Sequence, residues 1–236
     1  MFLLTLTIIN TYLLNDVNSD LINVFQHIKV NHTALINDLR AFFSAKLNNP
    51  ETYYALRKEF NNTDDAYLKA LLFIYLNRHG FQGLCRYNLS GVFNVPYGHY
   101  KKVYFPENEI IITASKLKHA ILMNDQFSQA FRRARKGDII YCDPPYVSLN
   151  KTANFTSYAA GGFSYEQQIR LAQLAEKACS RGVHVVISNH DMPVTRALYT
   201  KSSNIKSFNV RRSINAKSAK AKSVKELIAS YIPSNI

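Results

Sequence analysis

Cysteine is scarce: Cys85, Cys142 and Cys179 are far apart and odd in number. No Cys-x-x-Cys pair or Cys/His ligand spacing appears, which argues against zinc and against a disulfide framework and fits a reducing, cytoplasmic setting. Glycine is absent ahead of Gly80, so the early chain offers no glycine-rich turn for close approach to a nucleotide. Acid is in short supply, with 16 acidic against 29 basic residues and a formal net charge of +13. The imbalance is concentrated: Lys201, Lys206, Arg211, Arg212, Lys217, Lys220, Lys222 and Lys225 share a stretch that holds no acid. A long apolar run is missing too. Phe2 to Leu14 is interrupted by Thr5, Thr7, Asn10 and Thr11, lacks a basic leader and a small-residue cleavage site, and is too short and polar to span a bilayer. It reads as core, and no membrane partner is expected.

Hydrophobic residues make up 47% and charged residues 19%, as in a globular chain, and 236 residues suffice for one core with a small second domain. The positive excess points to a polyanionic partner, because each cation placed on a phosphate releases a condensed counterion.

Tyr12 to Val17 reads as a parallel strand with Asp16 at its carboxyl end. Ser19 or Asp20 is expected to cap a helix with Leu21, Ile22, Phe25 and Ile28 on one face. Leu35, Ile36, Leu39, Phe42 and Phe43 mark a second helix, and Pro50 opens a third. Asp64 to His79, closed by Gly80, gives a fourth with Leu68, Leu71, Leu72 and Tyr75 inward. After Pro106 strands at Ala120–Met123, Asp138–Cys142, Val183–Ser188 and Ile205–Val210 alternate with helical spacing at Asp125–Arg135, Tyr165–Cys179 and Pro193–Thr200. This alternation predicts an α/β fold with a mainly parallel sheet covered on both faces, whose ligands lie beyond the strands' carboxyl ends. Asp16 and Asp143 both fall at such ends.

Four of the eight glycines fall between Gly80 and Lys102, with Arg78 just before them and Arg86, Lys101, Lys102 and five aromatics among them. Turns and a hairpin are expected there. Composition leaves two readings open: a surface hairpin with ordinary aromatic packing, or a loop that reads bases.

The decisive string is Ile139-Ile140-Tyr141-Cys142-Asp143-Pro144-Pro145-Tyr146. Two prolines stop an apolar strand and fix the backbone, since neither can donate a ladder hydrogen bond. The Asp143 carboxylate and the Pro144 carbonyl could then receive the two hydrogens of a planar base's amino group. That leaves the nitrogen lone pair for attack, while Tyr146 stacks on the ring. The acceptors would stabilise positive charge developing on nitrogen. A bare strand-ending turn is the plainer alternative, and a lone Asp-Pro-Pro would mean little.

Asp-Pro-Pro-Tyr in this setting resembles the amino-methyltransferase motif, and its surroundings resemble the Dam family of GATC adenine methyltransferases. The matching stretches run almost end to end: Asn15 to Asp20 (NDVNSD), Leu76 to Lys102 (LNRHGFQGLCRYNLSGVFNVPYGHYKK), Asp143 to Tyr146, Thr152 to Thr156 (TANFT), Ser188 to Asp191 (SNHD) and Val210 to Ile214 (VRRSI). The resemblance implies methyl transfer from S-adenosyl-L-methionine to N6 of an adenine flipped out of a GATC duplex. It implies Asp143, Pro144 and Tyr146 as catalytic residues and Asp16 on the cofactor ribose, with Phe127 and Asp143 also at the cofactor. Arg86 would read guanine, Leu84 and Pro96 would make the thymine-side contacts, and Phe81 and Gln82 would wedge into the stack where the family is expected to carry Tyr-Asn. Arg57, Arg78, Asn88 and Lys101 would meet phosphates or flanking bases, Asn154 would sit in a loop near the site, and Arg211 and Arg212 would meet the backbone. His190 and Asp191 are expected to be structural, and no general base or metal is needed.

The implied fold is a Rossmann-like methyltransferase sheet, residues 1–24 and 106–236, with a mainly helical DNA-recognition region at 25–105 bearing the hairpin. The resemblance also implies a glycine turn and a first strand ahead of residue 1, so the sequence is expected to start part-way into the fold and to bind the cofactor poorly. A catalytically inactive DNA-binding remnant is the alternative. The protein is expected to act as a cytoplasmic monomer.

Overall fold

Asn18 starts the first helix. Its side chain accepts the backbone N–H groups of Asp20 and Leu21, satisfying two donors that a helix start leaves orphaned. The cap is thus one residue ahead of the expected Ser19 or Asp20. The computed structural model describes residues 11–147, 163–211 and 223–234. They fall into two units, one from Leu4 to Phe127 and the other essentially Ser128–Ile236.

In the first unit β1 (Tyr12–Asn15) runs parallel to β2 (Ala120–Met123). The first two expected helices are one element, α1 (Ser19–Phe42), broken at Asn31, whose backbone is non-helical (φ −152, ψ 73). The Asn31 side chain accepts the N–H of Ala34 and so restarts the helix where it stopped. Next come α2 (Pro50–Asn62), capped by Asn49 with Pro50 in its first turn, and α3 (Ala66–His79), capped by Asp65 where Asp64 was expected to open it. A helix missed in the sequence, α4 (Glu107–Leu117), precedes β2. Leu35, Leu39, Leu72, Leu76 and Leu117 are fully buried in one cluster with Tyr53, Phe60 and Tyr75. Each such leucine contributes about 1.5–3 kcal/mol by leaving water. The second half of α1 packs its Leu35, Ile36 and Leu39 into the same core as α3, α4 and Ala120 of β2, which ties the strand pair to the helices.

The second unit holds most of α5 (Phe127–Arg133), then β3 (Ile139–Cys142), α6 (Tyr165–Ser180), β4 (His184–His190), α7 (Pro193–Leu198), β5 (Asn204–Arg211) and β6 (Ser223–Tyr231). The strand order is β3-β4-β6-β5. β3 and β4 are parallel, whereas β6 runs antiparallel to both β4 and β5. The mainly parallel sheet expected from the alternation is thus mixed here, because β6, absent from the sequence reading, inserts between β4 and β5. Val185, Ile187, Leu227, Ala229 and Tyr231 bury the sheet's inner face against Leu171, Ala172 and Ala175 of α6.

His79, at the end of α3, is 1% exposed, stacks on Tyr75 at 3.9 Å between ring centroids, and places Nδ1 2.9 Å from the Tyr75 carbonyl. Burial pulls its pKa down to about 4. The folded state holds the ring neutral, while the unfolded chain takes up a proton below its ordinary 6.5. Stability is therefore complete above that value and is lost as pH falls toward 4. In urea unfolding, the protein is expected to lose about 2 kcal/mol more between pH 7 and 5 than a His79→Phe variant. Equal slopes for the two would show that His79 ionises freely within the fold.

Candidate active site and nucleic-acid interface

Asp143 follows the last residue of β3, and Pro144 and Pro145 end the strand as expected. The three residues after Ile187 in the neighbouring β4 hold this turn from behind. Ser188 donates to Asp143 Oδ1 at 2.8 Å. Asn189 Oδ1 accepts the N–H of Val147 at 3.1 Å, and His190 Nδ1 lies 2.7 Å from the Val147 carbonyl, a geometry that needs the proton on that nitrogen. The His190 ring also meets Tyr146 edge-on at 5.0 Å. From α6, Gln168 donates to the Pro145 carbonyl at 2.8 Å. Asn189 is fully buried, and its amide donates to the Tyr199 hydroxyl and to Gln168 Oε1. Among the described residues no donor reaches the Pro144 carbonyl or Asp143 Oδ2. Asp143 is exposed and Tyr146 half-buried. The Tyr146 hydroxyl stands 3.5 Å from Glu226 Oε2, and burial, with the charges of Asp143 and Glu226, pushes its pKa up to about 12. Tyr146 is thus a neutral ring beside two acceptors, one ionic and one a carbonyl.

Asp191 is held by both nitrogens of a bidentate contact from Arg196 (2.5 and 2.9 Å) and by Ser207. Those donors lower its pKa to about 2. Its carboxylate is engaged in joining β4 to α7 and β5.

In the other unit Asp16 follows the last residue of β1, and its Oδ1 accepts the N–H of Asn18 at 2.8 Å. It therefore precedes the helix cap without being the cap. Phe127, half-buried, starts α5 just past the parallel neighbour β2. Asn15 ties the two strand ends together by donating to the Asp125 carbonyl and accepting its N–H. A carboxylate and an aromatic ring at the same end of a parallel pair fit the ribose and base of a nucleoside cofactor.

The Gly80–Lys102 stretch is a hairpin with antiparallel bridges Gly80↔Tyr97 and Tyr87↔Phe93. Its ends close tightly: a Cβ on Gly98 would lie 2.9 Å from the carbonyls of both His79 and Gly80. Phe93, Val95 and Tyr97 are buried, while Phe81, Gln82, Leu84, Arg86, Asn88, Pro96 and Lys101 are all exposed. The inward side of the hairpin shows the ordinary aromatic packing that one of the two readings describes. The Arg86 guanidinium is held through Nε and Nη2 by the Asn94 side chain (2.7 Å) and carbonyl (3.1 Å). Gln82 has left-handed backbone (φ 55, ψ 22), followed by Gly83 at φ 62. Arg57 donates to the Val95 carbonyl at 2.8 Å and lies over the Tyr54 ring, bracing the hairpin from α2. Arg78 donates to the Tyr104 carbonyl and lies over its ring. Arg211 belongs to β5, whereas Asn154 and Arg212 lie outside the described residues.

Residues 1–214 match the family model for D12 class N6 adenine-specific DNA methyltransferases. The chain belongs to that family. Curated relatives named DNA adenine methylase include those of Vibrio cholerae (45% identical over 223 residues), Salmonella typhi and Escherichia coli K12 (each 44% over 222). In each case the match covers 94% of this chain and 80% of the relative. The family places the strand-ending turn in an adenine-modifying enzyme that needs a methyl donor and acts on DNA. Among the described residues no group of three or more His, Cys, Asp or Glu could hold a metal, and no helix is long and apolar enough to cross a membrane.

Position in the chain could not reveal Asn94, Gln168 or Tyr199, because each acts through a partner distant in sequence. Replacing Asn189 with alanine removes two donated and two accepted bonds from a dry site. The Asn189→Ala variant is expected to lose about 2–4 kcal/mol of stability in urea unfolding. A loss under about 1 kcal/mol would show that Asn189 does not hold the turn.

Proposed function

We propose that this chain transfers a methyl group from S-adenosylmethionine to N6 of an adenine flipped out of GATC in duplex DNA. One observation carries this reading: at the end of β3 the Asp-Pro-Pro-Tyr turn is held through two of its acceptors, while among the described residues no donor meets Asp143 Oδ2 or the Pro144 carbonyl. Asp143 Oδ1 and the Pro145 carbonyl are engaged from β4 and α6. Asp143 Oδ2 and the Pro144 carbonyl would accept the two hydrogens of the adenine amino group, turning its lone pair toward the donor. Tyr146, held edge-on by His190, would lie against the base. As charge develops on nitrogen, the carboxylate stabilises it without a proton leaving first. When bound, S-adenosylmethionine supplies an electrophilic methyl group. Asp16 would hold its ribose hydroxyls and Phe127 its base, within a Rossmann-like catalytic domain of residues 1–24 and 106–236.

Residues 25–105 would be the target-recognition region. The outer side of the hairpin would face the DNA, with Arg86 on guanine, Leu84 and Pro96 on the thymine side, and Phe81 and Gln82 entering the stack. Asn88, Lys101, Arg211 and Arg212 would meet the backbone, and Asn154 would lie near the flipped base. The guanidinium of Arg57 is already committed to Val95. Its contribution to DNA binding would come through the shape of the hairpin.

Labelled methyl transfer to duplexes with and without GATC tests the reading. Incorporation is expected only with GATC and is expected to be lost in Asp143→Ala. Duplex binding with no transfer would favour a silent DNA-binding protein instead. The Arg86→Ala variant is expected to lose about 1–3 kcal/mol of discrimination at the guanine position. Equal weakening on all sequences would make Arg86 a phosphate contact.

A further inference from the structure

We propose that Ser188, aligned by Tyr141, is a positioning residue that fixes the plane of the Asp143 carboxylate. The inference rests on the reading of Asp143 as acceptor for the target amino group. Parallel pairing sets Tyr141 against Val186 and Cys142 against Ile187, so the next rung brings Asp143 beside Ser188. Alternation along a strand puts Tyr141 and Asp143 on one face of β3, with Ser188 on the same face of β4.

Ser188 is 4% exposed, and a hydroxyl so buried needs partners. It has one proton and three acceptors in reach: Asp143 Oδ1 at 2.8 Å, the Cys142 carbonyl at 3.3 Å and the Tyr146 phenol oxygen. The shorter contact goes to an ionised oxygen and is the stronger. Tyr141 donates to Ser188 Oγ at 3.3 Å. Filling that lone pair directs the serine proton onto Asp143, giving a one-way chain from Tyr141 through Ser188 to the carboxylate. The Tyr146 phenol also borders Ser188, and Glu226 stands behind that phenol. Among the described residues Ser188 is the side chain that donates to the Asp143 carboxylate.

The terminal torsion of an aspartate is a broad, two-fold rotor. With Oδ1 held, Oδ2 has a set direction. A carboxylate left to rotate would still attract the amino group but would align its lone pair less often, which lowers the rate of the chemical step more than affinity.

The full chain is to be assayed by single-turnover transfer to a GATC duplex, by duplex affinity, and by the carboxyl carbon-13 resonance of Asp143 at fixed pH. Ser188→Ala is expected to slow transfer about tenfold with affinity changed less than about twofold, and Ser188→Thr to restore most of the rate. Tyr141→Phe, altering a side chain that is 42% exposed, is expected to slow transfer about threefold without loss of stability. The double variant is expected to be no slower than Ser188→Ala, as for two members of one chain. The Asp143 resonance is expected to shift in Ser188→Ala and Tyr141→Phe and to return in Ser188→Thr. Losses that multiply, a loss confined to affinity, or an unmoved resonance would each overturn the proposal. If the wild-type chain transfers no methyl group, the functional reading falls, and the resonance still decides the positioning role.

Discussion

Asn189 has four hydrogen-bonding places and fills all of them, with Val147 and His190 on its oxygen and Gln168 and Tyr199 on its nitrogen. A fully buried amide with each bond made is costly to disturb, because every partner would be left unsatisfied in a medium that offers no water. The second unit depends on this constraint. Through Gln168 it brings α6 onto the Pro145 carbonyl, through Val147 it fixes where the chain goes after Tyr146, and through Tyr199 it reaches the end of α7. The turn therefore has little freedom of its own. Its two prolines remove backbone donors, and its neighbours remove the remaining torsional choice. Tyr146 and Asp143 are held by the sheet, so their arrangement is set within the fold itself.

The first unit solves a different problem, which is to present polar and planar side chains on an extended loop without letting the loop collapse. Alternation does this. Phe93, Val95 and Tyr97 enter the helical core, and the Val95 carbonyl is gripped by both Tyr53 and Arg57. Leu84, Arg86 and Pro96 are left outward on a backbone that the inward residues anchor. Arg86 is oriented further by Asn94, which holds the Nε–Nη2 edge of its guanidinium.

Much of this was legible in the sequence for reasons that can be stated. β1, β2, β3, β4 and β5 were all expected because each is a short apolar run bounded by turn residues. The Asp-Pro-Pro-Tyr turn was legible because proline's effect on a strand is local. β6 was not, since Val224-Lys225-Glu226-Leu227-Ile228-Ala229 carries residues that suit a helix as well as a strand, and only the space between β4 and β5 decides. The break at Asn31 was visible as a gap between two apolar patterns, but not that one helix would resume at once on the same residue's side chain. Ser188 to Asp191 stood out only by likeness to a family. The grip of Ser188, Asn189 and His190 on residues 143–147 follows from strand register, which no single sequence displays.

Gln82 bears on how this chain can drift. A left-handed backbone costs a residue with a Cβ about 1–2 kcal/mol, and only glycine, asparagine and aspartate adopt it with ease. With φ 55 at Gln82 and φ 62 at Gly83, the corner's shape is held by the surrounding chain, including the Tyr100 hydroxyl that accepts the Gln82 N–H. Backbone geometry thus screens the substitutions available at this exposed tip before any partner does. Glycine, asparagine or aspartate would hold this corner at position 82 with less backbone strain than glutamine does.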